Sequence, residues 1–147
     1  MKKRFSFKTI EPEGFKAMRG MEQYLSATGI DPLHKELIKV RASQLNGCAF
    51  CLDMHARKAR ELGETEQRLY LLNAWREAPQ FSEEEKLILA MTEEITLIGQ
   101  QGLSEATYEQ AVEHFGEKGT AQLMMVIVVI NSWNRIMVAT QEPPGGR

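Results

Sequence analysis

The sequence has few of the features that mark an exported protein. Only 2 of its 147 residues are cysteines, whereas a secreted disulfide scaffold of this length usually carries more. The charged start at residues 2–4 is not followed by the apolar stretch of a signal peptide. We therefore expect a cytoplasmic protein, in which any bond between Cys48 and Cys51 is transient.

The sequence has equally few features that favour binding to a membrane or to nucleic acid. The most apolar run, residues 123–130, is far shorter than the roughly 20 residues that a membrane-spanning helix needs. The chain carries 18 basic and 20 acidic side chains, for a net charge of −2, so its overall field attracts neither nucleic acid nor anionic lipid. We expect no membrane partner and no nucleic-acid partner.

No segment shows the strict alternation of apolar and polar residues that is typical of a half-buried strand. Apolar residues recur at helical spacing instead, and capping residues and glycines separate the segments. The sequence therefore predicts an all-α fold of six to seven helices. The expected helices cover residues 13–27, 32–46, 48–62, 65–76, 82–102, 104–115 and 118–140.

The predicted domain organisation is simple. Residues 1–12 show no helical period and are expected to form an extended N-terminal arm, residues 13–140 a single helical domain, and residues 141–147 a flexible tail. The last helix is apolar nearly all round, which is more apolar surface than the other, short helices can cover. We expect it to contact another subunit in a homo-oligomer.

The two cysteines are three residues apart, at the predicted start of a helix. Unpaired backbone N–H groups and the helix dipole favour a thiolate at such a position. His55 follows Cys51 by four residues and Cys48 by seven, so the three side chains share one helix face. Two buried cysteines, or a single histidine, are often merely structural. Their combination favours thiol chemistry.

Glu36 joins this group through a helix hairpin about Gly47. Glu36 lies eleven residues before Gly47 and His55 lies eight after it, so the two differ in height by about 4.5 Å, or roughly one turn. A glutamate side chain can span that difference. Without these partners, Glu36 would be interpreted as a solvated acid near a helix start.

The stretch from Glu36 to His55 resembles the core motif of the AhpD-like, or carboxymuconolactone decarboxylase, superfamily. The motif has a glutamate, then Cys-x-x-Cys, then a histidine after three further residues. Further similarity lies in residues 63–68, 74–76 and 131–135.

The resemblance implies an AhpD-like helical fold, assembled into trimers or hexamers, and a peroxidase or disulfide-reductase activity without metal or cofactor. By position, Cys51 attacks the peroxide and Cys48 resolves the sulfenic acid as a disulfide, which then exchanges with an external dithiol or redox protein. Glu36 and His55 form a proton relay.

Two points stay open in the sequence. In thioredoxin-like motifs the first cysteine is the nucleophile, which favours Cys48, whereas the resemblance and the nearness of His55 favour Cys51. Some family members carry a histidine just before the second cysteine, where this chain has Phe50, so a role for a second imidazole does not carry over.

Three other functions use the same residues: a carboxymuconolactone-type decarboxylase, a non-enzymatic redox sensor or scaffold, and a zinc-binding helical module. A cysteine pair is superfluous for decarboxylation, and the helices are expected to pack without zinc. His34 and His114 are interpreted as surface residues. A structural role is favoured for Trp133, Asn134 and Arg135.

Overall fold

The computed structural model describes residues 2–145, which form helices and no strand. The predicted all-α fold is therefore confirmed for this part of the chain. The helices are α1 (Phe7–Ile10), α2 (Pro12–Ser26), α3 (Pro32–Asn46), α4 (Ala49–Glu61), α5 (Glu66–Leu71), α6 (Glu83–Thr96) and α7 (Glu105–Thr140), with a 3₁₀ turn at Leu72–Ala74.

Capping residues fix the helix boundaries, as expected from the sequence. Asp31 accepts a hydrogen bond from the Leu33 amide at 2.7 Å at the start of α3, and Ser82 and Glu85 form a reciprocal capping box at the start of α6. Gly47 ends α3 with a φ of 64°, a left-handed conformation that glycine adopts without steric cost.

The prediction of an extended arm over residues 1–12 is wrong for its second half. A one-turn helix covers Phe7–Ile10, and α2 already begins at Pro12. The Glu11 side chain accepts a hydrogen bond from the Gly14 amide at 3.2 Å, and proline suits the first helical position because it lacks only an N–H that would be unpaired there. Residue 1 lies outside the described residues.

Three further boundaries differ from the prediction. The helix expected over residues 65–76 ends at Leu71 and continues as a 3₁₀ turn, and α6 ends at Thr96 rather than near residue 102. The two helices expected over residues 104–115 and 118–140 are joined in α7, but Gly116 interrupts them with φ 71° and ψ 167°. Residues 141–145 follow as a non-helical segment, and the last two residues of the predicted tail lie outside the described residues.

The core lies where α7 packs against α3 and α6, with α4 completing a hairpin on α3. Apolar side chains that are almost fully buried fill this core. They include Ile38, Ala42, Ile88, Met91, Leu123, Val126, Ile127 and Ile130. A smaller cluster joins α3 to the segment that follows α5, around Leu37, Leu72, Trp75 and Phe81.

Among the described helices, α7 alone is long and apolar enough to cross a membrane by length and composition. It nevertheless carries buried polar groups that are satisfied by neighbouring helices. Asn134 donates to the Ser43 hydroxyl at 3.0 Å, and Asn131 donates to the Thr96 hydroxyl at 2.9 Å. These bonds fix α7 to α3 and α6, so it packs as the core helix of the domain.

The Glu93 carboxylate of α6 holds a buried polar cluster together. It accepts hydrogen bonds from the Trp75 indole at 2.7 Å and from Arg41 Nε at 2.8 Å, and it pairs with Arg76 at 2.6 Å. Arg41 is only 7% exposed. Removal of the carboxylate therefore leaves a buried guanidinium without its counter-ion.

We expect Glu93→Leu to lower the free energy of unfolding by about 3 to 5 kcal/mol, the usual cost of breaking a buried ion pair. Urea denaturation followed by circular dichroism measures this change. Glu83→Leu is the matched control on the same helix, because the Glu83 side chain is 92% exposed, and it should cost at most about 1 kcal/mol. Equal midpoints for Glu93→Leu and the parent would contradict this prediction.

Candidate active site

The hairpin between α3 and α4 positions the cysteine pair. After Gly47 the Cys48 amide donates to the Ser43 carbonyl at 3.0 Å, and Cys48 becomes the N-cap of α4. Its sulfur accepts a hydrogen bond from the Cys51 amide at 3.3 Å. The predicted placement of the pair at a helix start is therefore confirmed, and Cys48 has the capping role that serine or aspartate usually fills.

The sulfurs of Cys48 and Cys51 are joined in a disulfide, with Cα atoms 5.4 Å apart. Both residues are buried, with exposed fractions of 2% and 1%. A reactant therefore reaches either sulfur only through a cavity, and the shape of that cavity decides which molecules react.

Glu36 and His55 meet across the hairpin, as the residue count from Gly47 predicts. Glu36 Oε2 lies 2.6 Å from His55 Nδ1, and both side chains are buried. When Glu36 is ionised its carboxylate can only accept, so His55 Nδ1 donates and Nε2 is the ring nitrogen that remains for proton transfer. The pairing is observed, and the catalytic role of the two residues stays a prediction.

The pKa of the Glu36 carboxyl lies below its ordinary value despite burial. Burial raises this pKa, but the hydrogen bond and positive charge of His55, together with the charges of Lys39 and Lys58, lower it further than burial raises it. Glu36 is consequently ionised at neutral pH and holds the His55 ring in one orientation.

A cavity of about 200 Å³ opens at Cys51 and His55. We call it the Cys51 cavity. Apolar side chains form much of its wall. They are Phe15, Phe50, Met54, Trp133 and Met137. Phe15 and Trp133 contact each other edge to face, with ring centroids 5.6 Å apart, so α2 and α7 meet in the wall of the cavity.

Charged side chains also line the Cys51 cavity. Arg19 and Glu22 come from α2 and Lys58 from α4, and Glu22 pairs with the buried Lys39 of α3 at 2.9 Å. This pair ties α2 to α3 beside the site. A molecule in the cavity therefore meets an apolar wall with charged groups of both signs.

The sequence interpretation missed the contribution of α2. Phe15, Arg19 and Glu22 are four and three residues apart, which places them on one face of a helix. That spacing was the available signal, but it resembles an ordinary amphipathic helix. Trp133, for which a structural role was favoured, also lines the cavity.

The remaining candidates lie away from the Cys51 cavity. His34 and His114 approach the Glu84 carboxylate at 3.8 and 3.6 Å, and neither lines the cavity. Asn134 is fully buried in its bond to α3, and Arg135 donates to the Asn131 carbonyl at 2.9 Å. Within residues 2–145 no group of three or more histidine, cysteine or acidic side chains could hold a metal ion.

Comparison with known proteins shows the family of the chain. The model of the carboxymuconolactone decarboxylase family matches residues 12–94, which is more than half of the chain. The uncharacterised protein YdfG of Bacillus subtilis is 48% identical over 139 residues, or 95% of each chain.

Solved structures show the same fold. A protein of unknown function from Agrobacterium tumefaciens, provisionally assigned as the antioxidant defence protein AhpD, superposes with a TM-score of 0.95 at 35% identity, over 99% of this chain and 100% of that one. An uncharacterised peroxidase-related protein from Silicibacter sp. superposes with a TM-score of 0.81 at 25% identity, over 92% and 72% of the two chains. The chain therefore belongs to the AhpD-like, or carboxymuconolactone decarboxylase, superfamily.

Proposed function

We propose that this protein is a cytoplasmic thiol peroxidase that reduces hydroperoxides with its cysteine pair. The observation that carries the proposal is that Cys51 and His55 line the same cavity while the buried Glu36 fixes the His55 ring. In this proposal Cys51 is the nucleophile, His55 its base and Glu36 the carboxylate that orients the base, which is the combination that activates a nucleophile. The resemblance of the chain to peroxidase-related proteins supports the same activity.

The reaction begins with the reduced pair. His55 takes up the proton of the Cys51 thiol, and the Cys51 thiolate attacks the distal oxygen of the hydroperoxide. The O–O bond breaks, and the alkoxide or hydroxide leaves with that proton from His55. Cys51 is then a sulfenic acid. The Cys48 thiol attacks its sulfur, water leaves, and the disulfide forms. An external dithiol takes up the oxidising equivalents and restores both thiols.

Turnover tests this function directly. The protein is supplied with hydrogen peroxide or an organic hydroperoxide, and in turn with dihydrolipoyl, thioredoxin and glutathione reductants, and peroxide loss is measured. We expect sustained consumption with at least one reductant. Disulfide formation without turnover under any of them would instead favour a redox sensor, and absence of disulfide formation would remove the redox function.

A homo-oligomer is part of the proposal. Apolar residues of α7 and of the segment that follows α6 remain at the surface in the single chain: Ile98 is 67% and Val128 43% exposed, and both border the same cavity. A second subunit can bury this patch.

We expect the double substitution Ile98→Glu and Val128→Glu to shift the protein to smaller species in light scattering. Tyr70→Glu is the control, at a side chain of α5 that is 75% exposed, and it should leave assembly unchanged. A parent protein that is already monomeric at micromolar concentration would contradict this.

A further inference from the structure

The two cysteines of the disulfide border different cavities. Cys51 lines the Cys51 cavity, whereas Cys48 lines a second cavity of about 500 Å³, which we call the Cys48 groove. The groove lies between the start of α4 and the end of α7, and the residues that follow α7 complete its wall. Phe50 and Met137 border both cavities.

We infer that the two reactants reach the cysteine pair from different sides. Peroxide enters the Cys51 cavity and reacts with Cys51, and the reductant enters the Cys48 groove and attacks Cys48. The inferred occupant of the groove is a slender dithiol. This inference rests on the proposed function, which supplies the disulfide that the dithiol reduces.

The chemistry of exchange favours attack on Cys48. A thiolate approaches a disulfide along the S–S axis and displaces the far sulfur, so attack from the groove releases Cys51 as the thiolate. Cys51 lies one helical turn from His55 and is thereby returned in the form that attacks peroxide. Attack on Cys51 would instead attach the reductant inside the cavity that the peroxide needs.

The second step completes the balance. The other thiol of the dithiol attacks the mixed disulfide on its own sulfur, Cys48 leaves and takes up a proton, and the dithiol departs as a cyclic disulfide. Two electrons have then passed from the dithiol to the cysteine pair. Both steps take place at Cys48, so the peroxide cavity stays free of reductant throughout the reduction.

The form of the groove indicates a narrow occupant. Cys48 is only 2% exposed, so a sulfur on a flat protein surface cannot touch it without displacement of the rim. The N-terminal segment around Arg4 and the end of α7 form the rim of the groove, and hydrogen bonds hold them together. The Arg4 amide donates to the Thr140 carbonyl at 2.9 Å, and its guanidinium donates to the Ala139 carbonyl at 3.0 Å. Lys3 pairs with Glu142 at 2.8 Å. A small dithiol can pass this rim.

Two substitutions to tryptophan test the inference by blocking one cavity each. Val138 lines the Cys48 groove and is 48% exposed, and Lys58 lines the Cys51 cavity and is exposed. We expect Val138→Trp to slow reduction by dithiothreitol at least about tenfold while peroxide oxidises the reduced protein within about twofold of the parental rate, because access controls exchange. Lys58→Trp should show the reverse pattern. Val138→Phe is a smaller second variant in case tryptophan disturbs the fold.

Each half-reaction is measured alone by counting free thiols. The disulfide is prepared with diamide, so the reduction arm gives a result even if peroxide proves not to be the oxidant. Leu62→Trp is the control, at a position 49% exposed that borders neither cavity, and it should change neither rate.

Reduction of Val138→Trp and Val138→Phe at the parental rate would overturn the inference. So would equal slowing of reduction by Lys58→Trp. Faster reduction by thioredoxin than by dithiothreitol, unaffected by Val138→Trp, would overturn the slender occupant and favour a protein surface.

Discussion

Cys51→Ser is expected to lower peroxide consumption by at least about a thousandfold, the scale seen when a covalent nucleophile is removed. Cys51 is the cysteine that borders the same cavity as His55, and a serine hydroxyl is far less nucleophilic toward peroxide than a thiolate. The thiol that remains, Cys48, lies in the wall of the other cavity. Peroxide loss in a single-turnover assay measures the change.

Cys48→Ser is the partner experiment, with the opposite expectation. Cys51 should still attack peroxide, but its sulfenic acid lacks a resolving thiol and accumulates, detectable by mass spectrometry with a carbon nucleophile. Serine is a strong N-cap, so its hydroxyl can replace the Cys48 sulfur as acceptor of the Cys51 amide and preserve the start of α4. Sulfenic acid on Cys48 in the Cys51→Ser protein, formed at the parental rate, would reverse the assignment.

Glu36→Gln is expected to slow thiol reactivity by about a hundredfold, within the usual contribution of a positioned acid or base. The amide keeps the size of the side chain but removes the charge that holds His55 Nδ1–H. Alkylation of the reduced protein with iodoacetamide between about pH 5 and pH 9 gives the rate as a function of pH. The variant profile should lie below the parental one across this range.

Glu85→Gln separates this effect from general loss of stability. Glu85 is also a buried carboxylate whose pKa lies below its ordinary value: burial raises that pKa, and the bonds to Arg68 and the Ser82 amide lower it further. It borders neither the Cys51 cavity nor the Cys48 groove. This variant should lose stability and keep its alkylation rate. Equal alkylation rates for Glu36→Gln and the parent would count against the relay.

Local signals in the sequence predicted the part of the site that one hairpin builds. The left-handed glycine at residue 47 ends α3, and counting turns from it predicted the contact between Glu36 and His55 that the structure confirms. The helix end at Asn46 and Gly47 also placed Cys48 at the start of the next helix. These predictions depend on residues within twenty positions of one another, where helix geometry alone fixes the distances.

The other half of the site depends on packing between distant segments. Phe15 meets Trp133 across more than a hundred residues, and the pair of Glu22 with Lys39 buries a lysine that the sequence presents as a surface charge. The helical periodicity of the sequence does not predict which face of α2 packs against α7. Met137 borders both cavities, and no motif in the sequence marks it.

The bond between Arg4 and the last turn of α7 brings the two ends of the described chain to the same place, the rim of the Cys48 groove. We therefore expect tags fused to either end of the chain to compete with the dithiol for space at this entrance. A circular permutant that joins the ends by a short linker and opens the chain between α5 and α6 would leave the Cys51 cavity intact. It would join the two segments of the rim in a closed strap of adjustable length.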